Sequence, residues 1–249
     1  MAEFRAVALD FDGTIADSPR VHRLARQQAY DALAQADERF LDTPQRDALF
    51  TIAHRLGATS LEVEAQVLVG LGIVPCNIDP HNDAKVVEVA GIKGEIYQGI
   101  AAKGLPSIPG ALDFVKDFAD KFGPRSVAVV TTASNAEVTP FLNLHELSDS
   151  VGYVITRDYR GGVAPDRLKP HPYQYEQALR LLCMAGIAAR EVVSVEDSHC
   201  GILAAKAAGL YVAGIATTHD PRDLFGADII FNDFVQLRGT VLPVTVNAC

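Results

Sequence analysis

The sequence predicts an α/β fold: a parallel sheet flanked by helices, with an all-helical module inserted after the first strand. Three observations carry this expectation. Short apolar, β-branched runs recur at Ala6 to Leu9 and again from Ser126 onward, each bounded by turn residues. Runs of that length suit strands buried on both faces of a parallel sheet. Helix-like stretches separate the later runs, an alternation that argues for βαβ units. The third observation is the segment from about Pro19 to Lys103, which reads as helix after helix with no convincing strand.

Taken in order, Ala6-Val7-Ala8-Leu9 leads straight into Asp10-Phe11-Asp12-Gly13-Thr14. The stretch from Val21 to Tyr30 and the alanine-rich residues after it have good helical propensity. Pro44 to Leu56, Leu61 to Leu71 and Asp83 to Ile100 continue in that style, interrupted at Gly57 and at Gly70-Leu71-Gly72. A turn at Ser107-Ile108-Pro109-Gly110 precedes a helix over Ala111 to Phe122. The β-branched run Ser126 to Thr131 follows, then apolar runs at Gly152 to Ile155 and Glu191 to Glu196. Helices are expected near Pro172 to Met184 and Gly201 to Ala208, and last strands at Leu210 to Ile215 and Asp228 to Phe231. The expected division is a discontinuous sheet domain, 1–17 with 107–249, and a helical domain over 18–106. No repeat and no low-complexity segment is visible.

Composition narrows the partners. The 249 residues are 49% hydrophobic and 21% charged, the balance of a folded globular chain. Lysine and arginine number 22 against 31 acidic residues, a net charge of −9 that argues against non-specific nucleic-acid binding. No run approaches the ~18 apolar residues of a membrane span, and the chain enters its first strand too soon for a signal peptide. Cys76, Cys183, Cys200 and Cys249 lie far apart without metal-ligand spacing. Reduced thiols and a cytoplasmic location are expected. The chain works as a monomer or a homodimer on this reading.

Chemistry concentrates at the expected strand ends. Asp10 and Asp12 stand one residue apart at the carboxyl end of the first strand, where open α/β sheets hold their ligands. Residues i and i+2 share a face of an extended chain, and paired carboxylates resist full ionisation unless a cation or shared proton relieves them. Thr131-Thr132-Ala133-Ser134-Asn135 offers hydroxyls and N–H groups to an anion, or equally the cap of a helix. Lys169 sits in an irregular loop between Leu168 and Pro170, with Pro172 placed to open a helix. Glu196-Asp197-Ser198 brings a second carboxylate pair, suited to Mg2+. Each segment alone has a purely structural reading; together they point to a phosphate and metal site.

These four segments resemble, in order, the motifs of the haloacid dehalogenase-like superfamily, in its phosphatase and β-phosphoglucomutase-like branch with a helical cap. Asp10-Phe11-Asp12-Gly13-Thr14 is similar to the first motif, Thr131 to the second, Lys169-Pro170 to the third and Glu196-Asp197 to the fourth. The resemblance extends over residues 5 to 235 and implies a Rossmann-like core, the 18–106 module being the cap. It implies Asp10 as nucleophile, Asp12 as acid and then base, and phosphate held by Asp10, Gly13, Thr131, Thr132 and Lys169. Mg2+ would be held by Asp10, Asp12 and Asp197, with Glu196 beside them. A carboxylate at Asp12 favours phosphate-ester chemistry over dehalogenase or phosphonate chemistry, because an alkoxide leaving group needs its proton. The substrate expected is a small phosphorylated metabolite such as phosphoglycolate or a sugar phosphate.

His22 and Asn135 coincide with positions used by β-phosphoglucomutases, so a phosphomutase is the alternative. A non-catalytic binding protein on the same fold is a third reading, and it predicts a missing motif residue. Arg20, His22, Arg55 and Lys93 are the candidates for substrate contact in the helical module, although each reads more readily as a solvated helix residue. Arg55, ahead of Leu56-Gly57-Ala58-Thr59, is the best placed of them.

Overall fold

The computed structural model describes residues 4–41, 43–55 and 60–241, with side chains for all of these except 51–55 and 60. Contacts divide the chain into two compact units, Met1–Asp17 with Pro106–Cys249 and Ser18–Leu105.

The first unit is built on a six-stranded, fully parallel sheet. Its strands are β1 (Ala6–Leu9), β2 (Val127–Val130), β3 (Tyr153–Ile155), β4 (Val192–Glu196), β5 (Tyr211–Ile215) and β6 (Ile229–Phe231), in the order β3-β2-β1-β4-β5-β6. Strand order reverses at β1, between β2 and β4, which is where an open α/β sheet forms its crevice. Val7 pairs with Val127 on one side and Val193 on the other. Every residue of β1, β2 and β4 is buried, which is why these strands read as unbroken apolar runs. Helices α5 (Ala111–Phe122), α6 (Asn135–Leu144), α7 (Tyr173–Met184), α8 (His199–Ala207) and α9 (Phe234–Val241) complete this unit among the described residues. Tyr175, Ala178 and Leu182 of α7 and Ile202, Ala204 and Ala205 of α8 join Ala6, Ala8, Val192 and Val212 in one core.

The second unit is helical: α1 (Ser18–Leu33), α2 (Pro44–Arg55), α3 (Ser60–Gly70) and α4 (Ala84–Ala101). Tyr30, Phe40, Phe50, Val67, Leu68, Val86 and Val89 pack into a core of its own. Asp83 caps α4 by accepting from the N–H groups of Lys85 and Val86. The Leu56-Gly57-Ala58-Thr59 segment expected beside Arg55 lies outside the described residues.

Two helices depart from the expected series. The expected series places no helix between the second and third apolar runs, although the segment 131–135 equally reads as a helix cap, and α6 starts there; none is expected after the last run, where α9 lies. Pro140 falls inside α6 and masks its propensity. The Glu137 carboxylate nonetheless accepts from both the N–H and the hydroxyl of Ser134, at 2.8 and 2.7 Å, and fixes the helix start. Asp233, just ahead of α9, caps that helix by accepting the Gln236 N–H at 2.8 Å. Among the described residues no helix is long and apolar enough to cross a membrane.

Candidate active site

Asp10 extends β1 by one ladder bond, its N–H donated to the Val195 carbonyl at 3.0 Å. Side chains alternate along an extended chain, so Phe11 turns away from Asp10 into the core. Its ring is fully buried edge-on against Phe141 of α6, with centroids 5.0 Å apart. The chain then folds back on the Phe11 carbonyl, which accepts from the N–H groups of Ile15 and Ala16 at 2.9 Å each. Gly13 occupies this turn at a φ of 77°, and a Cβ there would overlap the Asp197 carboxylate. Only glycine tolerates both conditions.

Lys169 stands between β1 and β4. Its ammonium donates to Asp10 Oδ1 and, at 2.6 Å, to Glu196 Oε1. The Lys169, Asp10 and Glu196 side chains are 6%, 10% and 0% exposed, so solvent screens these pairs little. From β2, the Thr131 hydroxyl makes a weak 3.5 Å bond to Asp12 Oδ2 and accepts the Ala133 N–H at 2.9 Å. Thr132 follows in the turn to α6. The structure thus gathers Asp10, Asp12, Gly13, Thr131, Lys169, Glu196 and Asp197 around the carboxyl ends of three adjacent strands.

Charge in this cluster is unbalanced. Burial pushes the Asp10 carboxyl well above the usual range; Lys169 opposes that, while Glu196, Asp197 and Asp12 add to it. Glu196 is raised as well, by burial that outweighs the Lys169 ammonium and the Tyr175 hydroxyl. Burial alone would lower the Lys169 ammonium, but Asp10 and Glu196 together hold it above its ordinary value. Asp10, Glu196 and Asp197 present oxygens that all lie within 4.8 Å of one another. An all-oxygen, negatively charged donor set of this kind fits a hard divalent cation such as Mg2+.

Several neighbours were not singled out in the sequence. The Tyr175 hydroxyl donates to Glu196 Oε1 at 2.5 Å, and Gln174 Nε2 donates to the Thr131 carbonyl at 2.6 Å. The loop after β5 adds Thr217, whose hydroxyl donates to the Gly13 carbonyl, and Thr218, whose hydroxyl donates to Asp197 Oδ2. His219 Nδ1 lies 3.6 Å from the same Asp197 oxygen, and hydrogen bonding to Asp197 raises its imidazole despite burial. Thr217-Thr218-His219 follows an apolar run, the same signal that marks Thr131. Tyr175 carries no such signal, because only the fold turns α7 towards β4.

The remaining candidates make contacts of their own. Asn135 heads α6, its side-chain carbonyl accepting the Thr156 hydroxyl at 2.8 Å and its N–H donated to Asp158. In the helical unit, Arg20 is exposed at the start of α1. His22 stacks on Tyr97 of α4 with centroids 3.9 Å apart and planes 7° from parallel. Lys93 is not a solvated helix residue: it is 4% exposed, near Arg26 and Glu64. The Arg55 side chain lies outside the described residues.

A fully parallel sheet with acids and a lysine gathered at its switch point defines an α/β protein with a ligand-binding crevice there, and comparison with known proteins specifies its family. Residues 4–209 match the model of the haloacid dehalogenase-like hydrolases, and the chain belongs to that family. It is 28% identical to protein CbbY of Rhodobacter capsulatus over 227 residues, 90% of this chain and 91% of the relative. It is 27% identical to a phosphoglycolate phosphatase of Shigella boydii over 253 residues, 98% of this chain and 96% of the relative. Among solved structures, CbbY from Rhodobacter sphaeroides in complex with phosphate superposes with a TM-score of 0.64 at 25% identity, covering 94% of this chain and 96% of that one.

Proposed function

We propose that this protein is an Mg2+-dependent phosphatase of small phosphomonoesters, phosphoglycolate or a sugar phosphate, acting through an aspartyl phosphate on Asp10. The observation that carries the reading is Lys169 bridging Asp10 and Glu196 while Asp12, two residues on, remains beside Thr131. The relatives named as phosphoglycolate phosphatase and CbbY support the substrate class.

In the first step an Asp10 carboxylate oxygen forms a bond to phosphorus as the ester P–O bond breaks. Asp12 gives its proton to the departing alkoxide. In the second, Asp12 takes a proton from water, the water oxygen bonds to phosphorus, and the Asp10–phosphorus bond breaks to release phosphate. Lys169 and the Thr131 hydroxyl hold phosphoryl oxygens through both steps, the positioning and charge balance that phosphoryl transfer needs. Thr132 and the Gly13 turn complete the cradle. Asp10 and Asp197, with the Asp12 backbone carbonyl, would hold Mg2+, which supplies positive charge to the phosphoryl group when bound. All these groups belong to one chain, so a monomer suffices. The widely spaced Cys76, Cys183 and Cys200 suit the reducing cytoplasm, where we place the activity.

The test is phosphate release from an aryl phosphate and a panel of phosphometabolites, with and without Mg2+. Release is expected only with the metal. Asp10→Asn should abolish it, while the metal-free variant melts no lower than the native chain, since a buried repelling carboxylate has gone. Conversion of β-glucose 1-phosphate to glucose 6-phosphate faster than phosphate release would replace hydrolase by mutase. A complete lack of turnover with every phosphorylated compound would leave the non-catalytic reading.

A further inference from the structure

Both carboxylate oxygens of Glu196 are engaged by this chain's own groups. Oε1 accepts from both Lys169 and Tyr175, and Oε2 accepts the Ser198 hydroxyl at 3.3 Å. A Cβ at Gly201 would overlap its carboxyl group, so α8 packs directly on it. Tyr175 is fully buried, with its ring 5.1 Å from the Lys169 ammonium. Burial, reinforced by Glu196 and Asp10, keeps its phenol protonated and therefore a donor. Beside it, the fully buried Gln174 ties the same first turn of α7 to the Thr131 carbonyl.

From this arrangement we infer that Tyr175 is a positioning residue: through Glu196 it fixes the Lys169 ammonium against Asp10, and Glu196 serves this brace. Lysine has four rotatable carbons and a compact charge with no preferred direction. Two carboxylate oxygens on adjacent strands define where its ammonium lies only if Glu196 is itself immobile. The Tyr175 hydroxyl supplies that immobility from α7, the helix that begins just after Lys169. One helix start thereby sets the phosphate-holding groups of β2 and of the Lys169 loop together. Holding reacting groups in place is a large share of the rate in such sites, and small displacements are felt in kcat.

The inference rests on the phosphatase reading, but its test does not depend on turnover alone. In heteronuclear spectra of the lysine ammonium groups, the native protein should show a slowly exchanging Lys169 resonance, assigned by its loss in Lys169→Met. Tyr175→Phe and Glu196→Gln should each broaden or remove it. In phosphate release, Tyr175→Phe should lower kcat about tenfold while KM and the Mg2+ half-saturation stay within about twofold. The Tyr175→Phe, Glu196→Gln double variant should be no worse than the poorer single one. A native spectrum without the resonance, a resonance or kcat untouched by Tyr175→Phe, or fully additive losses would overturn the brace. If the native enzyme releases no phosphate, the phosphatase reading fails and the ammonium resonance alone decides this one.

Discussion

Phe11 orients the carboxylates by pointing the other way. Its ring is locked against Phe141, so the backbone alternation turns Asp10 towards Lys169. Gly13 then lets the turn close beneath Asp197. Gly13→Ala should therefore act twice. The left-handed backbone would lower stability by about 1–2 kcal/mol, and the new methyl would displace the Asp197 carboxylate. Titration calorimetry should show Mg2+ affinity reduced by at least about tenfold, the scale on which disturbed ligand geometry acts. An alanine variant with native affinity would separate the glycine from the proposed Mg2+ site.

At the scale of elements, α1, α3 and α4 enclose a polar seam. Arg26 donates to Glu64 at 2.8 Å, and the Tyr30 hydroxyl donates to the other Glu64 oxygen at 3.1 Å. Lys93 shares this buried surrounding; burial and Arg26 bring its ammonium down to about 8, against the pull of Glu64. A lysine lowered from 10.5 to about 8 binds fewer protons in the folded chain than in the unfolded one between those pH values. Stability must then rise with pH across that window, and the full penalty applies below pH 8. Lys93→Met should remove this slope and stabilise the protein at pH 7 by about 2–3 kcal/mol. Urea melts at pH 7, 9 and 10.5 read both effects, and an unchanged slope in the variant would refute the assignment. The elements themselves were legible in uneven degree. Strands buried on both faces announce themselves as apolar runs, and Ala111–Phe122 shows its periodicity openly. Within α6, Pro140 hides a helix that Ser134 and Glu137 begin, and Gly239 with three β-branched residues weakens α9. The motif residues were legible because their chemistry sits at strand ends. Tyr175, Gln174 and Thr218 were not, because they act through contacts made only when distant segments meet.

In the whole molecule, the helical unit is an insertion whose two ends meet in the sheet unit. The Asp17 N–H donates to the Pro106 carbonyl at 2.8 Å, and Ala16 bridges to Ser107. Replacing 18–105 by a short glycine-serine link should leave the sheet unit folded, with a cooperative melt by circular dichroism. The excised 18–105 segment should also fold, because Tyr30, Phe50, Leu68 and Val89 form a core drawn from its own helices. A non-cooperative melt in either piece would show that the units depend on each other. The connection also bears on synthesis. β1, apolar on both faces, leaves the ribosome before its partners β2 and β4, which lie beyond the whole insertion. Helices with local contacts form faster than non-local parallel pairings, so the insertion is complete while β1 still waits unpaired. An exposed apolar strand is an aggregation hazard during that interval. The segment that carries Asp10 and Asp12 is thus also the one the nascent chain must shield longest.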